Sequence, residues 1–178
     1  MNRKLKLDEL KRDSVEAFKQ KSKHPIVVVL DNIRSLNNVG SFFRTGDAFN
    51  IEKIYLCGIT ACPPHREIRK TALGATEAVD WEYVENTVEV VAALKAKGYK
   101  TCAVEQAVKT TLLQDLQIEE NGVALIFGNE VEGVQDEVIA ACDEVVEIPQ
   151  FGTKHSLNVS VCGGAVLWEV TKKMCLKA

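Results

Sequence analysis

An α/β domain built on a mainly parallel sheet, with helices on both faces, is the fold this sequence predicts. Three observations carry that prediction. Short continuous runs such as "IVVVL" (26–30) and "VALIF" (123–127) are apolar at every position, as strands buried between two helical layers must be. Amphipathic stretches of helical length separate such runs, so strand and helix alternate along the chain. The carboxyl ends of three strands open into polar loops bearing glycine or asparagine, which is where parallel sheets hold ligands.

Taken in order, residues 7 to about 22 place Leu7, Leu10, Val15 and Phe18 among charges, the pattern of an amphipathic helix. Pro25 ends it, and Ile26–Leu30 is a buried strand. A helix runs through "VGSFFRTGDAF" (39–49), followed by a strand at Lys53–Cys57. "PPHREIRKTALG" (63–74) is a helix started by proline, "AVDWEYV" (78–84) a strand, and "TVEVVAALKAKG" (87–98) a helix closed by Gly98. "YKTCAVE" (99–105) and "GVALIFG" (122–128) are strands, and "QDEVIAAC" (135–142) is a short helix. "EVVEIP" (144–149) is the last strand, and residues 157 to about 173 form the final helix. The whole chain, 1–178, is expected to form one domain, with 1–24 a short helical extension ahead of the first strand.

Composition narrows the function classes. With 46% hydrophobic and 26% charged residues, the chain can bury a substantial core. It has no apolar run of membrane-spanning length, and its charged start lacks the apolar centre of a secretory signal, so the expected location is cytoplasmic. The six cysteines show no C-x-x-C spacing and the three histidines form no ligand pair. Buried free thiols, and no metal, are expected. A net charge of −3 argues against a surface coated in positive charge for nucleic acid. Local basic faces remain at "NRKLK" and at Arg66, Arg69 and Lys70, which taken alone read as ordinary solvated surface.

The three strand-end loops carry the chemistry. In "RSLNNVGSFFRTGDAF" (34–49), Asn38 sits at the mouth of a helix and Arg44 six residues on. Alone, these read as a cap and a surface residue, but the neighbouring Phe42 and Phe43 suggest a partly buried guanidinium that requires an anionic partner. "FGNEVEG" (127–133) offers Gly128 and Gly133 for close backbone approach, with Glu130 projecting from the strand end. It is neither a P-loop nor G-x-G-x-x-G. An acidic loop suits a cationic or hydroxyl-rich small molecule better than a polyphosphate. In "KHSLNVS" (154–160), Ser156 is a natural helix cap with Leu157 packed beneath it. Asn158 is a poor helix former one residue further in. Serine hydrolysis is disfavoured because G-x-S-x-G is absent.

Together, "NNVGSFFRTGDAF", "ALIFGNEVEGV" and "IPQFGTKHSLNVSVCGGAVLWE" resemble, in order and spacing, the three motifs of the SpoU/TrmH family of RNA ribose 2′-O-methyltransferases, within the SPOUT superfamily. The likeness runs from about Ile26 to Trp168. It implies an α/β sheet with a C-terminal trefoil knot, S-adenosylmethionine held in the knot, and a homodimer in which a partner arginine completes the site. Position by position, it implies catalytic roles for Asn38, Arg44, Glu130, Ser156 and Asn158. It implies cofactor contacts, largely through backbone, at Gly128, Ile148 and Leu157. The substrate implied is RNA, either tRNA or rRNA. The roughly 25 residues ahead of the first strand are too few for a separate RNA-binding domain, which leans toward tRNA. Asn37 where many members have histidine, and Gly46 where alanine is usual, touch none of the central residues. A knotted protein that binds RNA without catalysis is the rival reading, and loss of Asn38 or Arg44 would mark it; both are present.

Overall fold

The computed structural model describes residues 2–10 and 12–176, leaving out the side chains of Leu7 and Asp8. Its frame is one parallel seven-stranded sheet. The strands are β1 (His24–Asp31), β2 (Ile51–Cys57), β3 (Trp81–Val84), β4 (Lys100–Val104), β5 (Thr111–Leu112), β6 (Val123–Phe127) and β7 (Glu144–Glu147). Their spatial order is β3-β2-β1-β6-β4-β7-β5. β1 lies between β2 and β6, with Val28 beside Ile54 on one side and Leu125 on the other.

The continuous apolar runs have the predicted explanation, because alternate residues of β1 enter different cores. Ile26, Val28 and Leu30 join one apolar cluster, whereas Val27 and Val29 join a second. The first cluster is covered by α2 (Leu36–Ala48), α3 (Arg66–Ala72), α4 (Ala75–Ala78) and α7 (Val159–Cys175), through Phe42, Phe43, Ile68, Ala75, Val166 and Val170. The second is covered by α5 (Thr87–Ala96) and α6 (Asp136–Ala141), through Val90, Val91, Leu94 and Val138. Each such aliphatic side chain contributes roughly 1.5–3 kcal/mol on burial, so both helical layers are strongly held.

Besides the helix over 63–74, which starts at Arg66 behind His65 and not at proline, four expectations need correction. The predicted helix from residue 7 to about 22 is a 3-10 turn at Leu7–Leu10 and a separate α1 (Val15–Gln20) capped by Ser14. Nothing in α1 is fully buried; Leu10 and Val15 are exposed, and the Leu7 side chain lies outside the described residues. The segment is too densely charged to sink into a core, and Phe18 alone packs against one, under the Lys23 ammonium 3.1 Å from its ring centroid. Second, the two-residue strand β5 escaped sequence reading because it is shorter than any hydrophobic period. Third, the cysteines are all free, but only Cys57 and Cys102 are buried and Cys175 is exposed. Fourth, α7 begins at Val159 and takes Asn158, not Ser156, as its N-cap. Among the described residues, no helix is long and apolar enough to cross a membrane, and no His, Cys, Asp or Glu group is arranged to hold a metal ion.

Candidate functional site

The carboxyl ends of β4, β6 and β7 and the start of α7 line one region, and the loop after β1 is bonded to the β6 exit beside it. One turn there is shaped by two glycines. The β6 exit makes an antiparallel bridge between Asn129 and Gly133, and Gly133 has φ 73°, a conformation that side chains disfavour. A Cβ on Gly128 would lie 2.1 Å from the Gly133 carbonyl carbon and the Val134 nitrogen. The loop therefore closes on its own backbone.

The three motif loops are joined by a chain of side-chain hydrogen bonds. The Glu130 carboxylate accepts from the Arg34 amide, the Ser35 amide and Asn38 Nδ2, each at 2.9 Å. Asn38 Oδ1 accepts in turn from Asn158 Nδ2 at 3.2 Å. Asn158 Oδ1 caps α7 by accepting from the Ser160 and Val161 amides at 3.0 and 3.3 Å. Burial pushes the Glu130 carboxyl up, but the bonds from Arg34, Asn38 and Ser35 outweigh it and hold Glu130 below its ordinary value. Glu130 is thus an ionised tie between loops, accepting three of the bonds its two oxygens can take.

Beside this chain lies a cavity of about 490 Å³, within the range of small-molecule sites. Gly128, Ile148 and Leu157, three residues marked from the sequence, line it, as do Glu130, Ser156 and Asn158. Phe127, Val146, Val159 and Cys162 supply apolar wall. Among the described residues of the lining, Glu105, Glu130, Glu132 and Glu147 supply carboxylates against one basic candidate, His155, a balance that favours a cation over a polyphosphate. Ser156 is exposed and makes no side-chain hydrogen bond among the described residues.

Arg44 departs from expectation. Phe42 and Phe43 are buried, but the next residue around the helix faces solvent, so Arg44 is exposed rather than partly buried. It lies outside the cavity lining, and no hydrogen bond or ion pair is formed by its guanidinium among the described residues. Glu105, which lines the cavity from the end of β4, belongs to no motif. The position of a carboxylate just past a parallel strand was the signal that could have marked it.

Comparison with known proteins places these features in a family. The SpoU rRNA Methylase family model matches residues 25–168. A 23S rRNA (guanosine-2′-O-)-methyltransferase, RlmB, of Neisseria meningitidis serogroup B is 30% identical over 88% of this chain and 62% of its own length. The mouse tRNA (guanosine(18)-2′-O)-methyltransferase TARBP1 is also 30% identical, over 88% of this chain but 10% of that protein. The chain thus spans about six-tenths of the Neisseria relative. Among solved structures, the AdoMet-bound rRNA methyltransferase from Sinorhizobium meliloti superposes with a TM-score of 0.79 at 27% identity, covering 86% of this chain and 59% of that one.

Proposed function

This chain belongs to the SpoU rRNA Methylase family, and from that membership we propose that it is an S-adenosylmethionine-dependent methyltransferase acting on a ribose 2′-hydroxyl of RNA, tRNA or rRNA. The observation that carries the reading is the Glu130–Asn38–Asn158 chain, which locks all three motif loops together at the edge of an acidic cavity. The cavity suits the cofactor. Its carboxylates match a sulfonium cation, and Gly128, which lines it, lets the β6 exit loop fold back on Gly133 and Val134 to form part of its wall. S-adenosylmethionine supplies an electrophilic methyl group when bound. Gly128, Ile148 and Leu157 would hold it, while Ser156 and Asn158 shape the place where nucleotide and cofactor meet.

Methyl transfer to a hydroxyl depends on alignment of the acceptor oxygen, so rigid positioning carries much of the rate. The shared hydrogen bonds of Asn38, Glu130 and Asn158 provide that rigidity. Bound to three donors from the first motif loop, Glu130 acts as a positioning residue. Arg44 anchors an RNA phosphate and stabilises developing charge on the attacking oxygen; as an arginine it keeps its own proton.

A homodimer belongs to this proposal. Arg44 is exposed outside its own chain's cavity, which suits an arginine that serves the cavity of a second copy. Val161 and Trp168 on α7 are 61% and 50% exposed. Val166 and Leu167, by contrast, are core residues, so the apolar face that α7 offers to a second copy is Val161, Ala165 and Trp168. The trefoil knot belongs to it as well, with α7 returning from β7 to pack on α2. A cytoplasmic setting, one methyltransferase domain across the chain and no need for metal complete the reading.

Calorimetry with S-adenosylmethionine, followed by tritiated-methyl transfer to total RNA from a strain lacking the protein, tests the proposal. Nucleoside mass spectrometry then identifies the product. Binding together with a 2′-O-methylated nucleoside is the expected result; cofactor binding without methyl transfer to any RNA would favour a non-catalytic RNA-binding protein instead.

A further inference from the structure

We infer that Glu105 is the residue that recognises the ribose of the bound adenosyl cofactor, its carboxylate accepting from the vicinal hydroxyls. This rests on the cofactor reading given above. Glu105 follows β4 directly and lines the cavity together with Cys162, Leu157 and Gly128.

Its carboxylate is set in place from two sides. One oxygen accepts from the Val134 amide at 3.1 Å, and the other accepts from the Gln106 amide at 2.8 Å. The approach is close enough that a Cβ on Gly133 would come within 2.3 Å of the Glu105 carboxylate. Glycine at 133 is favoured by its own φ of 73° and leaves room for the Glu105 carboxylate where it stands. Each carboxylate oxygen has lone pairs to spare beyond the one amide it accepts, and the side chain borders the cavity. The charge is felt across the space: burial first, then Glu105, push the Cys162 thiol up to about 11.

A fixed, acceptor-only group with two oxygens side by side matches two neighbouring hydroxyl donors. An ionised acidic residue at a strand end is a general solution for holding ribose hydroxyls. A single ammonium, such as that of the cofactor's amino-acid end, needs no such paired arrangement. The apolar wall of Phe127, Val146 and Val159 in the same cavity suits a flat base joined to that ribose.

Three ligands separate the possibilities in calorimetry on the full chain. S-adenosylhomocysteine carries both ribose and ammonium, 5′-methylthioadenosine lacks the amino acid, and 2′-deoxy-5′-methylthioadenosine also lacks one hydroxyl. Wild-type protein is expected to prefer the ribo over the deoxy compound by about tenfold or more, the scale of a hydrogen bond to a charged group. Glu105→Ala is expected to weaken S-adenosylhomocysteine and 5′-methylthioadenosine by the same factor, about 10- to 100-fold. The variant should also bring the ribo-to-deoxy ratio near one. A role confined to holding the Val134 loop would leave that ratio unchanged and overturn the inference. Weakening of S-adenosylhomocysteine alone would assign Glu105 to the ammonium and overturn it too. Wild-type protein that binds none of the three would overturn the cofactor reading itself, and this inference with it. Glu105→Gln keeps the shape of the side chain and supplies the same ratio should Glu105→Ala fold poorly.

Discussion

Asn38 and Asn158, 120 residues apart in the chain, share a side-chain hydrogen bond of 3.2 Å that joins the first strand-end loop to the cap of the last helix. Asn38 is only 8% exposed, and its other end donates to Glu130. Asn38→Ala should therefore destabilise the protein by about 1–3 kcal/mol, since partners at both ends lose a bond. Asn38→Asp should be worse, because it sets a second carboxylate against Glu130. Chemical denaturation at neutral pH measures both. Equal stability of the two variants would mean that the amide is not the link between loops.

Glu130 makes the same link sensitive to acid. Its folded carboxyl titrates below the ordinary value, so its stabilising effect is fully present above the usual carboxylate range. The effect is lost as pH falls through the lower folded value. Thermal melts of wild type and Glu130→Gln should differ at neutral pH and converge as the pH is lowered through that range. A gap between them that stays constant with pH would show that charge on Glu130 is immaterial.

Adjacent glycines on α7 should respond in opposite directions. A Cβ on Gly163 would lie 2.3 Å from the ring of Phe42, which is buried and packs, tilted, against Phe127 with ring centroids 4.9 Å apart. Gly163→Ala should cost about 1–3 kcal/mol through overpacking. At Gly164 nothing lies within 4 Å, and removing a glycine from a helix interior gains roughly 0.5–1 kcal/mol. Urea denaturation of the two single variants checks the sign of each.

How much of this was legible in the sequence depends on the range of the interactions involved. The strands were legible because a run such as Val27, Val28, Val29 reports its two-faced burial locally. Gly128, Ile148 and Leu157 follow or precede strand and helix ends, and they do meet in one cavity. The choice of Asn158 over Ser156 as cap was not legible, because both are good capping residues. What favours Asn158 is a partner on α2, far away in sequence. Arg44 was misread because two aromatic neighbours suggested burial, whereas consecutive helical positions turn by about 100° and soon face solvent. Glu105 was missed since its partners, Val134 and the cavity, exist only once β4 and β6 lie side by side.

The exposed stripe on α7 predicts an assembly. Val161, Ala165 and Trp168 recur at helical spacing on the outer side, and Trp168 already leans on Phe49 at a ring-centroid distance of 6.2 Å. Aromatic anchors of this kind dominate interfaces. Light scattering should report a dimer for the wild type and a shift toward monomer for Val161→Asp combined with Trp168→Glu, with little change in the folded spectrum of each subunit. A wild-type monomer at working concentration would remove both the dimer and the idea that Arg44 serves a second copy.

Arg44 itself should separate chemistry from binding and from stability. It is exposed on α2 and lies outside the cavity, so Arg44→Ala should leave the melting temperature and the cofactor affinity nearly unchanged. Methyl transfer should fall several hundredfold, the effect of losing about 3–4 kcal/mol of transition-state stabilisation from one charged contact. Arg44→Lys should also fail, because an ammonium cannot make the planar two-pronged contact to a phosphate. Tritiated-methyl transfer to RNA from a strain lacking the protein gives the rate, and calorimetry gives the affinity. Mixing Arg44→Ala with a cavity-defective Leu157→Asp variant, changed at a half-exposed lining residue, adds a decisive arm. If arginine is supplied across the dimer, mixed dimers regain one working site, formed by the sound cavity of one subunit and the intact Arg44 of the other. Near-normal activity of Arg44→Ala alone would make this arginine structural, and the mechanism proposed for it would be wrong.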